Sequence, residues 1–385
     1  MERQLGQEGR EHSTARPKLT DPAARQAARG ARRDARASGL RYVRVDGPGI
    51  RRRRSGRGFR YESPAGRRLT GAATLARIRA IAIPPAWTDV WICPTPDGHI
   101  QAIGVDGAGR RQYRYHPDFR RRRDAGKFDR LIRFGETLPR IRRQVHHDLG
   151  RRGLPREKVL ATVVALLELT SLRVGNPEYV ALNRSFGVST LRDRHARIRG
   201  STIRLRFRGK GGRTEERTVI DRRLAAVVRR CQELPGQELF QYEDEDGEAR
   251  PIASEDVNDY IREAGGAAEF SAKDFRTWTA TLHAFRALRA GVPGSGARDG
   301  RGRLNAALRL TADELGNTLA VTRASYVHPG VVDAFAGDGA IVAADDAGSG
   351  RRALERPPSR ADELELLRLL RRAHRARGGT PASRP

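Results

Sequence analysis

The sequence predicts an α+β protein in which a small β-rich segment precedes a larger, mainly helical one. Between residues 40 and 120, short alternating apolar runs are separated by Gly/Pro turns, as in antiparallel strands. From residue 127 onward, apolar residues recur at three- and four-residue intervals, the spacing of amphipathic helices. One strand pair, at residues 202–208 and 217–220, interrupts the helical part and predicts a β-hairpin.

The β-rich segment is predicted to contain several strands and one helix. Alternation predicts strands at 40–45 and 58–61. A hairpin is predicted where strands 90–93 and 99–103 flank the turn Thr95–Gly98. The helical spacing over 75–83 ends at Pro84 and Pro85.

The remainder of the chain is predicted to be helical between two polar tails. Helical patterns cover residues 127–149, 156–170, 177–184, 221–234, 254–264, 271–291, 304–309, 311–326 and 360–372. The predicted domain plan is a disordered basic tail (1–38), a β-rich domain (39–125), an α-helical domain (126–336) and a flexible C-terminal tail with a short helix (337–385).

The charge and composition narrow the class of protein. Lys plus Arg is 75 and Asp plus Glu is 46, so the net charge of the 385-residue chain is +29. A field of this sign and size attracts polyanions. The absence of a long apolar run argues against a membrane protein, and two cysteines exclude a disulfide framework or a thiolate metal centre. We therefore expect a cytoplasmic protein that binds nucleic acid.

Basic clusters with interleaved aromatic residues lie in the β-rich segment. Arginines there would neutralise phosphates, and flat rings would pack on sugars or on neighbouring arginines. Alternatively these residues form a solvated charged strand, and Arg120–Arg123 form a basic helix face. The residues of this segment that we expect to contact nucleic acid are Arg51, Arg52, Arg53, Arg54, Arg111, Tyr113, Arg114 and Tyr115.

The second half of the chain holds the residues suited to phosphodiester chemistry. No phosphate-binding glycine loop or convincing carboxylate set for metal ions appears in the sequence. A metal-free attack needs a nucleophile, cations on the phosphate oxygens and an acid for the leaving oxygen. Candidates for these roles are Arg173, Lys210, Arg276, Asn317 and Tyr326. Because only five basic residues are lysines, each lysine is a candidate for a position where arginine, which keeps its proton, does not serve.

These segments, in this order, resemble the catalytic domain of type IB DNA topoisomerases, in the compact bacterial and poxvirus-like branch. The resemblance runs from about Gly39 to Phe335, and residues 49–61, 77–87 and 113–117 resemble the N-terminal domain of that branch. It implies a helical catalytic domain of the tyrosine recombinase/topoisomerase IB type with a small hairpin sheet. It also implies that residues 39–125 form a DNA clamp.

The resemblance assigns a role to each candidate. Tyr326 matches the nucleophile that forms a 3′-phosphotyrosyl bond, and Arg173 and Arg276 match the arginines that grip the scissile phosphate. Lys210 matches the hairpin lysine that protonates the departing 5′ oxygen. Asn317 stands where much of the family has histidine, so we assign it as a hydrogen-bond donor to the phosphate. His328 is interpreted as a packing residue beside Pro329.

The implied function is relaxation of supercoiled duplex DNA by nicking one strand, swivelling and resealing. A tyrosine recombinase is an alternative, although Lys273, which we also expect to contact DNA, stands where recombinases usually have histidine. A non-catalytic basic DNA-binding protein is the other alternative. We expect a nucleoid-associated monomer that needs no ATP or other nucleotide cofactor, no metal and no membrane.

Overall fold

The computed structural model describes residues 31–107, 109–177, 180–181, 184–291, 300–336 and 356–376. The chain divides into two compact units, Met1–Gly126 and Lys127–Pro385. The predictions for residues 1–30, 337–355 and 377–385, and part of the predicted helix 177–184, lie outside the described residues. Antiparallel sheets together with a mainly helical second unit confirm the α+β class.

The first unit is built on a five-stranded antiparallel sheet of order β2-β1-β3-β4-β5. Residues 31–37 form helix α1, within the segment predicted to be disordered. Helix α2 contributes Ile78 to a core with Ile50, Val90 and Ile92. The predicted hairpin is confirmed as β3 and β4. The elements are β1 (Ile50–Ser55), β2 (Gly58–Glu62), α2 (Ala72–Ala80), β3 (Thr88–Ile92), β4 (Ile100–Val105) and β5 (Arg111–Tyr115).

The strand predicted at 40–45 is wrong. Arg41 makes an isolated bridge to Gly98, and Arg41 N donates to Asp97 O at 2.8 Å. The next amide in the alternation, that of Val43, donates to the imidazole Nδ1 of His99 at 3.0 Å. Val43 and Val45 pack against the core. The backbone amides of this stretch donate to a loop carbonyl and to a side chain and not to a neighbouring strand, so no β-ladder forms.

The second unit surrounds one large apolar core with helices. Its three-stranded sheet has the order β6-β7-β8, and the β7–β8 pair confirms the predicted hairpin. The long helix α3 begins before the division at Gly126 and continues into this unit. The elements are α3 (Pro117–Leu149), α4 (Arg156–Thr170), β6 (Ala196–Arg199), β7 (Thr202–Arg208), β8 (Thr214–Ile220), α5 (Arg222–Glu233), β9 (Gln241–Glu243), β10 (Ala249–Pro251), α6 (Ser254–Gly265), α7 (Ala272–Arg289), α8 (Gly300–Leu315), α9 (Leu319–Ser325), α10 (Pro329–Ala336) and α11 (Arg360–Ala376).

Helix α11 is docked, where the sequence predicted a short helix in a flexible tail. Its leucines Leu366 and Leu370 are fully buried, and the helix packs against α7 and α10. The buried carboxylate of Glu363 accepts hydrogen bonds from Arg142 of α3 at 2.6 and 3.0 Å. Apolar burial and a partnered buried charge therefore attach the C-terminal helix to the rest of the second unit.

Candidate active site

Tyr326 lies at the C-terminal end of the short helix α9. Its backbone N–H donates to Thr322 O at 3.0 Å, which closes the last turn of the helix. Its carbonyl oxygen lies 3.1 Å from the Thr281 hydroxyl of α7. The phenol ring is half-buried. The chain therefore presents this tyrosine at a helix end, with its backbone tied to the helix that carries Arg276.

Arg276 is buried in α7 with only 3% of its surface exposed. Its two terminal amino groups donate to the carbonyl oxygens of Ser171 and Leu315. The guanidinium carbon lies 5.3 Å from the centroid of the Tyr326 ring. Ser171 ends α4 and Leu315 ends α8, so one buried cation connects the ends of two helices to the tyrosine.

Arg173 and Asn317 form the second pair of the site. Arg173 Nη2 donates to Asn317 Oδ1 at 2.9 Å. This fixes the amide so that its Nδ2 is its remaining polar group, and Nδ2 is buried without a hydrogen-bond partner among the described residues. An unpaired buried donor costs free energy unless a ligand accepts from it.

The loop that carries Asn317 corrects the helix predicted over 311–326. The helical pattern is interrupted between Leu315 and Leu319, where Gly316 adopts a φ of +60°. This left-handed conformation favours glycine and ends a helix. Asn317 consequently projects from a turn and not from a helix face.

Lys210 lies at the exposed tip of the β7–β8 hairpin. The next two glycines have φ values of +79° and +78°, which make a tight turn that side chains would strain. Arg213 Nη1 donates to Gly316 O at 3.4 Å, so the base of this turn contacts the Asn317 loop. The structure thus forms two contacting pairs, Arg276 with Tyr326 and Arg173 with Asn317. Arg276 also binds the carbonyls of Ser171 and Leu315, which lie two residues from Arg173 and Asn317, and the base of the Lys210 turn contacts the Asn317 loop.

The electrostatic field of the site favours the phenolate form of Tyr326. Burial alone raises the pKa of this phenol, but the charges of Arg276 and Arg173 and a hydrogen bond from Arg276 outweigh burial, and the pKa is lowered. Lys273, exposed in the first turn of α7, acts in the same direction. Burial lowers the pKa of Arg276, yet guanidinium remains charged at physiological pH. A lowered pKa is one way in which a nucleophilic side chain is activated.

The residues expected to contact DNA in the first unit separate into two groups. Arg52 donates to Pro84 O at 3.1 Å and stacks on Phe59, and Arg114 donates to Ala82 O at 2.9 Å. Tyr115 packs on Phe119, and Arg53 pairs with Glu62. These four contribute contacts inside their own unit that the sequence did not predict. The side chains of Arg51, Arg54, Arg111 and Tyr113 are exposed, as is that of Arg53.

Sequence reasoning missed three residues next to the candidate site. Glu215 is buried, and its carboxylate lies 3.8 Å from Arg173 and 3.6 Å from Arg217. The sequence could have indicated its burial, because side chains alternate along β8 and Glu215 lies on the same buried face as Val219. Lys127 and Thr281 contact the Tyr326 segment from α3 and α7.

His328 is a packing residue, as predicted. Its ring lies edge-on to Phe128 at 5.0 Å between centroids, and its Nδ1 accepts from Gly330 N at 2.9 Å. Among the described residues, no group of three or more His, Cys, Asp or Glu side chains is placed to hold a metal ion. Within the same ranges, none of the helices has the length and apolar character of a membrane span.

Comparison with known proteins identifies two matching family models. Residues 116–337 match the model of the eukaryotic DNA topoisomerase I catalytic core. Residues 58–106 match the N-terminal domain of bacterial DNA topoisomerase IB. The first match covers more than half of the chain and includes all five candidate catalytic residues.

Two curated relatives and one solved structure are similar to parts of the chain. DNA topoisomerase 1B of Acanthamoeba polyphaga mimivirus is 34% identical over 287 residues, which is 72% of this chain and 85% of the relative. DNA topoisomerase 1 of Mycosarcoma maydis is 26% identical over 194 residues, 44% of this chain and 19% of the relative. The crystal structure of XerH site-specific recombinase bound to difH substrate covers 50% of this chain and 49% of its own, with 15% identity and a TM-score of 0.32.

The family-model matches and the viral relative favour a topoisomerase over the recombinase and non-catalytic alternatives. The matched catalytic core is an isomerase that acts on DNA, and the bacterial N-terminal domain agrees with the predicted bacterial branch. The chain belongs to the type IB DNA topoisomerase family.

Proposed function

We propose that Tyr326 is the nucleophile with which this topoisomerase cleaves one strand of duplex DNA. Its phenolate oxygen attacks the scissile phosphorus, the bond to the 5′ oxygen breaks, and a 3′-phosphotyrosyl ester forms. The phenol proton passes to solvent. The observation that carries the proposal is the contact of Arg276 with the Tyr326 ring, together with the lowering of the Tyr326 pKa by the charges of Arg276 and Arg173. Because the ester conserves the bond energy, resealing needs neither ATP nor a metal ion.

Three groups are proposed to stabilise the pentacoordinate phosphate. Arg173 and Arg276 supply positive charge, and a planar guanidinium can donate to two phosphate oxygens at once. Asn317 donates through the amide nitrogen that has no partner among the described residues. Arg276 would exchange a carbonyl acceptor for a phosphate oxygen when DNA binds, since both terminal amino groups are occupied without it.

Lys210 is proposed to protonate the leaving 5′ oxygen. An ammonium can give up a proton usefully, whereas a guanidinium cannot. Replacement of the bridging 5′ oxygen by sulfur makes the leaving group a stable thiolate that needs no proton. We therefore expect a Lys210→Ala variant to cleave ordinary DNA slowly and sulfur-substituted DNA at close to the wild-type rate.

The partner is proposed to be duplex DNA, engaged by a monomer in the nucleoid. In this proposal residues 39–125 contact DNA through the exposed Arg51, Arg54, Arg111 and Tyr113, and residues 126–336 carry out the chemistry. Lys273 would contact a phosphate near the scissile one, since it is exposed three residues before Arg276. The tails at 1–38 and 337–385 are not assigned to the reaction.

Plasmid relaxation tests the proposal. Supercoiled plasmid is incubated in EDTA without ATP with the wild-type chain, Tyr326→Phe and the control Tyr242→Phe, which removes a hydroxyl from β9 of the same unit. Relaxation by the wild type and the control but not by Tyr326→Phe is expected. Relaxation by Tyr326→Phe at the wild-type rate would show that another residue is the nucleophile.

A further inference from the structure

Two side chains from different helices hold the backbone on which Tyr326 sits. The last carbonyls of a helix have no partner within it. At the end of α9, the carbonyl of Ser325 accepts a hydrogen bond from the Lys127 ammonium of α3. The next carbonyl, that of Tyr326, lies 3.1 Å from the Thr281 hydroxyl of α7. Consecutive peptide groups around the nucleophile are therefore fixed from two directions.

Lys127 also contacts the nucleophile itself. Its Nζ lies 5.7 Å from the centroid of the Tyr326 ring and 4.7 Å from that of Phe128. A cation at this distance from an aromatic face is attracted to it. The side chain is half-buried, and it is one of only five lysines in a chain that elsewhere uses arginine. A compact ammonium bonds one carbonyl oxygen while remaining near a ring.

Thr281 holds the Tyr326 segment because its hydroxyl both donates and accepts hydrogen bonds there. The residue is fully buried. Its oxygen accepts from the backbone N–H of His328 at 3.2 Å, and its proton is shared between Thr277 O at 2.8 Å and Tyr326 O at 3.1 Å. Thr281 lies five residues after Arg276 in α7. The helix that supplies the buried arginine therefore also fixes the peptides on either side of Val327.

We propose that Lys127 and Thr281 are positioning residues for the nucleophile, forming a bracket that holds the Tyr326 backbone for in-line attack. The inference rests on the proposed role of Tyr326. Helix α9 is short and presents exposed residues such as Val321, so little apolar burial holds it in place. A displacement of the nucleophile by about 1 Å can cost ~100-fold in rate. The bracket supplies the restraint that α9 lacks.

The test measures cleavage separately from binding. Enzyme in excess is mixed with supercoiled plasmid, and the covalent complex trapped by SDS gives the cleavage rate constant at saturating DNA. A filter-binding titration gives the Kd. We expect Lys127→Met and Thr281→Val to cleave about 10- to 100-fold more slowly, with Kd within about threefold of wild type. Lys127→Arg and Thr281→Ser, which keep a donor, are expected to recover most of the rate.

Two matched controls keep the same chemistry elsewhere in the unit. Lys158→Met removes another ammonium that donates to a backbone carbonyl, that of Arg151 at 2.6 Å. Thr162→Val removes a fully buried helical hydroxyl that bonds to Lys158 O of its own helix. Both controls are expected to cleave at the wild-type rate. A lower melting temperature in either control then measures the structural effect of such substitutions without an effect on cleavage.

The outcomes separate the bracket from the proposed function. Wild-type cleavage by Lys127→Met and Thr281→Val, with Tyr326→Phe inactive, refutes the bracket and leaves the nucleophile in place. A weaker Kd with an unchanged rate constant makes Lys127 a DNA contact and also refutes it. Equal losses in the conservative and non-conservative variants, in proportion to melting temperature, indicate a merely structural role. Activity of Tyr326→Phe refutes the proposed function itself.

Discussion

Asn317 provides the sharpest test of how this site stabilises the reacting phosphate. Its Oδ1 accepts from Arg173 at 2.9 Å, which leaves the buried Nδ2, without a partner among the described residues, as the group that can donate. Asn317→Ala removes one donor to the developing charge, a loss that typically costs about 10²- to 10³-fold in rate. The smaller figure corresponds to about 2.7 kcal/mol of barrier. We therefore expect cleavage to slow at least 100-fold.

The assay is single-turnover formation of the SDS-trapped covalent complex at saturating plasmid DNA. Asn305→Ala, which removes an amide from α8, serves as the matched control and should cleave at the wild-type rate. The reasoning is refuted if Asn317→Ala cleaves within threefold of wild type, because the unpartnered nitrogen would then donate to nothing in the transition state.

Asn317→His adds a second measurement to the same prediction. Imidazole can donate a hydrogen bond in either protonation state, and the imidazolium is the stronger donor. The variant should therefore exceed Asn317→Ala in rate and gain an inflection near pH 6.5, with faster cleavage on the acid side. The wild-type amide does not titrate, so its profile should lack that inflection.

Three further substitutions test the electrostatics and packing around the site. Arg276 and Arg173 together outweigh burial and lower the pKa of Tyr326, so Arg173→Gln should shift the titration of Tyr326 to higher pH. The shift is measured from the tyrosinate absorbance, as the difference between Arg173→Gln and the double variant Arg173→Gln/Tyr326→Phe. Arg142→Ala should destabilise the fold by about 1–3 kcal/mol in urea unfolding at pH 7, because it removes two of the hydrogen bonds to the buried carboxylate of Glu363 and leaves Arg360 as its arginine partner. Burial raises the pKa of Glu363 but hydrogen bonds from arginine lower it overall, so this stabilisation is present above about pH 4.3 and is lost as the pH falls through the folded pKa. A Cβ at Gly135 would lie 2.2 Å from the indole of Trp278 in α7, so Gly135→Ala should lower the free energy of unfolding by about 1–3 kcal/mol. An unchanged melting temperature would contradict this prediction.

The sequence predicted those features that are set by short-range pattern. The β3–β4 hairpin and the helix at 156–170 agree with the structure because turn chemistry and apolar spacing within each segment decide them. The stretch at 40–45 has the same alternation as a strand, but a strand also needs a neighbour, and its amides bond to a loop. The alternation of apolar residues predicts which side chains are buried. It does not predict which groups form hydrogen bonds with the backbone amides and carbonyls.

The candidate site shows the same division. The resemblance assigned Arg173, Arg276, Asn317 and Tyr326 from their order, and the structure pairs Arg276 with Tyr326 and Arg173 with Asn317. The bracket was not predicted, because Lys127 and Ser325 are 198 residues apart and no local signal links them. The hydrogen bonds from Arg276 to two helix-end carbonyls could not be predicted either. Every residue has a backbone carbonyl, so the sequence does not indicate which ones accept.

The docked helix α11 has a mechanical consequence for an enzyme that lets DNA rotate. In the proposed reaction, a single ester at Tyr326 links the protein to the DNA end while the strand is open, so any pull or torque on that end would load the chain at this residue. The load enters between α9 and α10, and α10 is covered by α11, which is itself anchored to α3 through Glu363. Forced unfolding is governed by the rate at which such an interface yields. We expect that α11 lets the nucleophile segment bear tension during swivelling without being drawn out of the fold.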